Sequence, residues 1–335
     1  MPGHESPGRR ATSADVARRA GVSRTTVSFV LNNTASQSIS AETRRRVLDA
    51  ARELSYAPSP EARALSRGRS SSVLVYLPPA RSLTENIGQI VERLSELFSE
   101  AGLSMVMHAW TRRPAAQVWS SVTPAAVLAW DLTDEDAQLM RGTGVRGVAS
   151  WTGSDAIGRW VTGSRERDAA RLQVETLVRA GHRVLGYAVT GADHMHGVSQ
   201  WRYEVLRREC QERGIPEPAV LQLPADAHGA QTALGEWRER HPDVTGLCAH
   251  DTTAALAVLA GMRRVGLRAP DDLAVLGVND SSAAALADPP LTMVDLDAEI
   301  TARYIVDVVL ALVNGEPESS APTGGGASLL ARDSV

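Results

Sequence analysis

The feature that most constrains this chain is a change of hydrophobic period near residue 72. Before it, apolar residues recur at helical spacing: Val16, Ala17 and Ala20, then Val27, Val30 and Leu31, then Val47, Leu48, Ala51 and Leu54. After it, short apolar runs at 73–77, 104–110, 125–130, 145–151, 184–189, 220–223, 246–250 and 273–278 are separated by longer stretches. Several of those stretches, such as 87–101, 172–180, 199–213 and 253–265, carry the helical period. Short strands that alternate with helices build parallel sheets covered on both faces. The expected fold is α/β: a small helical unit, then two doubly wound lobes of four strands each.

The first unit has its own punctuation. Gly21 breaks the first helix, Ser23 stands as the N-cap of a helix over 24–32, and Ser40 caps a third over 42–54. Helix, tight turn and helix make a helix-turn-helix. Pro58 and Pro60 stop the third helix, and the basic element that follows over 59–68 has Leu65 as its one large apolar residue. So short a piece cannot hold itself folded without a partner surface.

Charge supports the division. All 35 basic residues are Arg, and residues 1–70 hold 12 of them against six acids, whereas the rest of the chain is acidic. A basic end on an acidic body suits a polyanion at that end alone. Cys210 and Cys248 are too few for a disulfide framework and read as buried thiols in a reducing cytosol. The chain has no apolar run of membrane length and its opening residues lack a signal-peptide core, so a cytoplasmic protein without membrane contact is expected. Thr323-Gly324-Gly325-Gly326 lacks the Lys and helix of a phosphate loop. Asp193-His194-Met195-His196 offers too few ligands at useful spacing for zinc and reads as a loop at the surface or cleft rim. His182, after Gly181, fits a helix C-terminus, where a cation is favoured. Neither a nucleophile elbow nor a cofactor loop nor a metal set is present, so an enzyme is not expected, and no cofactor.

Asp15-Val16-Ala17, Ala20-Gly21-Val22-Ser23, Thr26-Val27-Ser28, Leu31-Asn32, Ser40-Ala41-Glu42-Thr43-Arg44 and Tyr56-Ala57-Pro58 closely resemble the DNA-binding head of the LacI/GalR repressor family. Ala62-Arg63-Ala64-Leu65, Gly181-His182-Arg183, Gly266-Leu267-Arg268-Ala269-Pro270-Asp271-Asp272, Pro290-Leu291-Thr292 and Ala331-Arg332-Asp333-Ser334 extend the likeness along most of the chain. The resemblance implies a three-helix headpiece over 1–58, a hinge helix over 59–70, and a two-lobed body over 71–335. That body resembles periplasmic sugar-binding proteins of type I. Its chain crosses between lobes three times, here expected near 171, 296 and 319. Lobe 1 would then hold 71–171 and 297–319, and lobe 2 the remainder.

In such proteins a helix like 24–32 lies in the major groove of a near-palindromic operator, bound by a homodimer. Arg24, Thr25 and Phe29 point away from the headpiece core, and the resemblance makes them base readers. Arg24 can fork onto guanine, and Phe29 can touch a thymine methyl or simply pack on the headpiece surface. Thr12, Ser23, Thr26, Ser28 and Asn32 carry hydroxyl or amide groups suited to phosphates. The resemblance places Leu65, with Ala62, in the minor groove as a wedge, although Ser59-Pro60 departs from the family's usual start of the hinge helix.

Ligands of open α/β sheets bind outside the carboxyl ends of the strands. Trp110, Trp130 and Trp151 each end a predicted strand there, so they either line one wall of a cleft or fill it. By resemblance, Arg202, His250-Asp251 and Asn279 stand at effector-binding positions of the second lobe. Asn279 replaces a usual carboxylate, and the acid expected before the crossover helix is replaced around Arg165. This loss of acceptors tilts the expected effector from a sugar or sugar derivative towards an anionic or aromatic metabolite. The end of the chain lacks a leucine heptad tail, which disfavours a tail-mediated tetramer. The competing reading keeps DNA binding but replaces the small molecule with a protein partner, or with none.

Overall fold

The computed structural model describes residues 11–31, 39–56, 70–77, 84–109, 118–119, 123–129, 132–151, 163–191, 198–316 and 326–335. Contacts divide the chain into two units, Met1–Ser71 and Ser72–Val335. In the first, α1 (Ser13–Ala20), α2 (Arg24–Leu31) and α3 (Ala41–Glu53) bury Val16, Ala17, Ala20, Val27, Val30, Val47, Ala50 and Ala51 against one another. Gly21 ends α1 in the left-handed region at φ +64°, where a side chain is strained. A Cβ there would also lie 3.3 Å from the Arg46 guanidinium, which donates to the carbonyls of Ala20 and Gly21. A residue of α3 thus closes the turn between α1 and α2. Ser23 Oγ accepts from Thr26 N at 3.0 Å and Ser40 Oγ from Thr43 N at 3.2 Å, so both serines cap as their positions predict.

The second unit contains two sheets. The first, ordered β2-β1-β3-β4, is parallel and consists of β1 (Ser72–Leu77), β2 (Ser104–Ala109), β3 (Ala126–Ala129) and β4 (Gly147–Ser150). Alternate residues face opposite sides. Val73, Val75, Leu128 and Ala149 meet α4 (Glu85–Glu100) and α11 (Ala298–Asn314), whereas Leu74, Val127 and Val148 meet α5 (Asp134–Gly142) and Trp119.

The second sheet is ordered β10-β9-β8-β7-β5-β6. It consists of β5 (Leu185–Thr190), β6 (Ala219–Leu223), β7 (Gly246–Ala249), β8 (Ala274–Val278), β9 (Thr292–Leu296) and β10 (Ala327–Leu330), of which β10 alone is antiparallel to its neighbour. Helices α6 (Gly163–Arg179) and α7 (Val198–Glu212) cover one face, and α8 (Ala227–Arg240) and α9 (Thr252–Val265) the other. A one-turn helix, α10 (Ser282–Ala285), follows β8. Cys210, on α7, and Cys248, on β7, are free buried thiols of one core, and burial pushes Cys210 up to about 12.

The second lobe therefore has six strands rather than the four expected. The apolar run of β9 is interrupted by Asp295, and β10 is a largely exposed edge whose residues carry no core periodicity. The first crossing precedes α6 rather than falling near 171, because Ala169 and Ala170 already belong to the second lobe's core. The helix begins two turns before the expected 172, since its first turns bury the charged residues Arg165 and Glu166 instead of apolar ones. The chain returns to lobe 1 at Asp297, between β9 and α11, and enters lobe 2 again before β10.

His182 differs from its expected role as a cation. Its ring packs on β7, where a Cβ at Gly246 would lie 3.1 Å from it, and its Nδ1 is 2.9 Å from Thr245 Oγ1. Burial, aided by the charge of Arg183, lowers its pKa and favours the neutral ring. At the chain's far end Ser334 Oγ donates to the carbonyl of Val275 at 2.6 Å and accepts from Thr292 N at 2.8 Å, tying β8 to β9.

Candidate nucleic-acid interface and effector site

Arg24 and Thr25 open α2 exposed, and Phe29, one turn on, is partly exposed, while Val27 and Val30 of the same helix are buried. The core stripe on one side leaves Arg24, Thr25, Ser28 and Phe29 for the other. Ser23 Oγ and Thr26 Oγ1 are 2.9 Å apart at the helix start. Thr12 donates its hydroxyl to Asp15 Oδ2 at 2.7 Å, and its amide reaches the same oxygen at 2.9 Å, so this proton is already engaged at the start of α1. Asn32, Ala62 and Leu65 lie outside the described residues.

In the second lobe the carboxyl ends of β5, β7 and β8 carry a buried polar cluster. Arg202, on α7, is only 1% exposed. Its Nε donates to Glu166 Oε2 at 2.9 Å, Nη2 donates to the same oxygen, and Nη1 donates to the carbonyl of His250. Nη1 is also 3.2 Å from His250 Nδ1, which Tyr187 Oη approaches at 2.8 Å. A guanidinium carries only donors, so the nitrogen facing it must hold the lone pair. Tyr187 Oη, whose one proton also reaches the carbonyl of Ser199 at 3.2 Å, lies against the same nitrogen, and with Nδ1 facing the guanidinium the proton of the imidazole is placed on Nε2. Burial, with the positive charge of Arg202 beside it, holds His250 well below the usual histidine range, so the ring is neutral.

Two neighbours complete the cluster. Asp251 Oδ1 accepts from Ala254 N at 2.8 Å and caps α9, and burial raises its pKa. Asn279, directly after β8, has φ +63°, a conformation that Asn tolerates better than most residues. Its amide donates to Val294 O at 2.9 Å and its carbonyl accepts from Thr252 Oγ1 at 2.6 Å, but its side-chain Oδ1 is buried without a partner. An acceptor in that state is available to a water or a bound molecule.

Trp151 is 6% exposed and packs with Ile305 and Val309 in the lobe 1 core. It is therefore not an open cleft wall: alternation from Ala149 puts its side chain on the α4 and α11 side of the sheet. Trp110 and Trp130 lie outside the described residues, as do residues 193–196 of the metal reading. Among the described residues no three His, Cys, Asp or Glu side chains group as a metal site, and no helix is long and apolar enough to cross a membrane.

The charged residues behind the expected tilt towards an anionic effector have partners within the fold. The acid lost at Arg165 is present one position later as Glu166, which neutralises Arg202, and Arg165 itself donates to the carbonyls of Asp297 and Gly326. Arg202 is neutralised by Glu166 and His250 is uncharged, whereas Arg165 is buried and turned to two backbone carbonyls. Sequence reasoning missed Glu166, Tyr187 and Gln173, whose Nε2 donates to Ala249 O at 3.0 Å and Leu276 O at 2.8 Å. Their partners are tens of residues away in sequence, and no local spacing announces such contacts.

Residues 12–59 match the bacterial regulatory proteins of the lacI family, and residues 174–335 match the periplasmic binding protein-like domain. The HTH-type transcriptional regulator GntR of Pseudomonas aeruginosa is 28% identical over 339 residues, covering 97% of this chain and 96% of the relative. Among solved structures, the lac repressor dimer bound to operator and an anti-inducer superimposes with a TM-score of 0.77 at 24% identity, over 97% of this chain and 99% of that one. The transcriptional regulator CelR in complex with cellobiose does so with a TM-score of 0.64 at 24% identity, over 97% and 100%.

Proposed function

We propose that the chain, whose residues 12–59 match the lacI family of bacterial regulatory proteins, is a sequence-specific DNA-binding transcriptional regulator of that family, and that it represses by binding a near-palindromic operator as a cytoplasmic homodimer, not as an enzyme. The observation that carries this reading is the second helix of the helix-turn-helix, which is anchored by Val27 and Val30 and presents Arg24, Thr25 and Phe29 outward. Arg24 reads guanine in each half-site, Phe29 contacts a thymine methyl, and Thr12, Ser23, Thr26, Ser28 and Asn32 contact phosphates. Leu65 and Ala62 enter the minor groove at the centre. Selection from random DNA tests the assignment: Arg24→Ala relaxes the preference at one position of each half-site, and an unchanged preference refutes it.

The effector occupies the cluster formed by Glu166, His250 and Asn279. It is an uncharged molecule rich in hydroxyl groups, because the site offers the His250 Nε2–H donor, the unpartnered Asn279 Oδ1 and the second oxygen of Glu166. A thermal-shift screen of the full chain with neutral saccharides, sugar phosphates, organic acids and aromatic acids checks this class. Saturable stabilisation by neutral saccharides alone supports it. Stabilisation by anions alone overturns it, and silence across the panel favours regulation by a protein partner. A coupling of about 1–3 kcal/mol between effector and operator corresponds to a switch of roughly 5–150-fold.

A further inference from the structure

The three crossings between the lobes meet at one buried side chain. Arg165 lies in the first turn of α6, directly after the first crossing, and is 4% exposed. Its Nη2 donates to the carbonyl of Asp297 at 2.9 Å, which belongs to the second crossing, and to that of Gly326 at 2.7 Å, which ends the third. The last two crossings are also joined directly, since Asp297 N donates to Gly326 O at 3.3 Å. Gly326 leaves just enough space for this arrangement. A Cβ on it would lie 2.7 Å from Arg165 Nη1 and 2.8 Å from Cζ, closer than non-bonded atoms tolerate. Nη1 itself is buried without a partner, so the guanidinium is held by its two carbonyl acceptors and by the negative charge around it from Asp297, Glu166, Asp295 and Asp168.

We propose that Arg165 is the positioning residue of the interlobe hinge, pinning the second and third crossings to the root of the first and so setting the angle between the lobes. Its neighbour links the pin to the polar cluster. Glu166 is the next residue of the same helical turn, is itself buried, and holds Arg202. Two consecutive residues on one rigid turn cannot move independently. A displacement of Arg202 or His250 by a bound molecule is thereby transmitted through Glu166 to the backbone that carries Arg165, and from there to both other crossings. This last consequence rests on the effector reading above; the pin itself does not.

The test uses the full chain with spin labels at Glu100→Cys on α4 and Glu239→Cys on α8, both exposed, while the native thiols are buried. Pulsed electron spin resonance without ligand then reports the distribution of interlobe distances. Arg165→Met removes the donors at similar volume, and Gly326→Ala displaces the guanidinium without removing its charge. Each is expected to broaden the distribution and to speed hydrogen exchange of the Asp297 amide by about tenfold, while far-ultraviolet circular dichroism stays native. Arg165→Lys, with one donor group in place of a planar fork, should fall between. If Arg165→Met does not fold, Gly326→Ala carries the same comparison. Unchanged width and unchanged exchange in a folded variant overturn the pin. Adding cellobiose as a probe then separates the two ideas: a shift in the wild type that is lost in Arg165→Met supports the coupling, and an equal shift in both overturns it. Absence of any shift in the wild type counts against cellobiose as effector and leaves the ligand-free comparison to decide the pin.

Discussion

Replacing Glu166 by Gln removes one charge from a pair that the fold has buried almost completely: the Arg202 side chain is 1% exposed and that of Glu166 10%. Arg202 Nε and Nη2 both rely on Glu166 Oε2, and the always-charged guanidinium cannot escape the mismatch by losing a proton. Deleting one partner of a buried pair costs about 3–5 kcal/mol. The Gln side-chain oxygen keeps one hydrogen bond, which puts Glu166→Gln at the lower end, about 3 kcal/mol. For a unit of this size that loss lowers the melting temperature by about 6–12 °C. The double variant Glu166→Gln/Arg202→Met removes the stranded charge and should recover most of the loss, because an apolar replacement of a buried ion pair is often near neutral. All seven Trp residues follow residue 71, so tryptophan fluorescence in a urea titration reads this unit without interference from the headpiece. A change below about 1 kcal/mol for Glu166→Gln, or a double variant whose cost equals the sum of the single ones, would refute a tightly coupled pair.

Three further perturbations probe other parts of the structure. The folded pKa of His250 is depressed, so the unfolded chain binds more protons and stability is lost as the pH falls below about 6.5. His250→Gln should flatten that part of the pH dependence of the urea midpoint relative to wild type, and an identical slope counts against burial of the neutral ring. Ser334→Ala strands the buried Thr292 amide and should destabilise the body by about 1–3 kcal/mol in the same titration, whereas a neutral result would mean that the tail does not lock β8 to β9. Ser40→Ala removes the cap of α3 and should cost about 0.5–2 kcal/mol, read by helical circular dichroism of the headpiece transition; Ser40→Gly should cost only a few tenths.

Local chemistry was sufficient for much of this protein. The helices of the headpiece, the left-handed Gly21, the caps Ser23 and Ser40 and most strand positions follow from interactions over three or four residues, or from alternation along one strand, and those signals are present in any short window of sequence. Arg24, Thr25 and Phe29 were legible for the same reason, since a helix with a known core stripe leaves only one outward face. Trp151 was not: whether an indole at the end of a strand lines a cleft or fills a core depends on α4 and α11, the second of which comes from about 150 residues later in the chain. The same holds for the polar groups. Glu166 and Arg202 are 36 positions apart, and Arg165 reaches carbonyls 132 and 161 positions away. The acceptors of Arg165 are backbone atoms that every residue type carries, so nothing in the identities of Asp297 and Gly326 betrays them. Sequence alone specifies which elements form and which faces they bury, because those choices are made by neighbours along the chain. Which charges cancel, and where the lobes are joined, is decided only when three-dimensional packing removes water and brings distant donors to the acceptors they need.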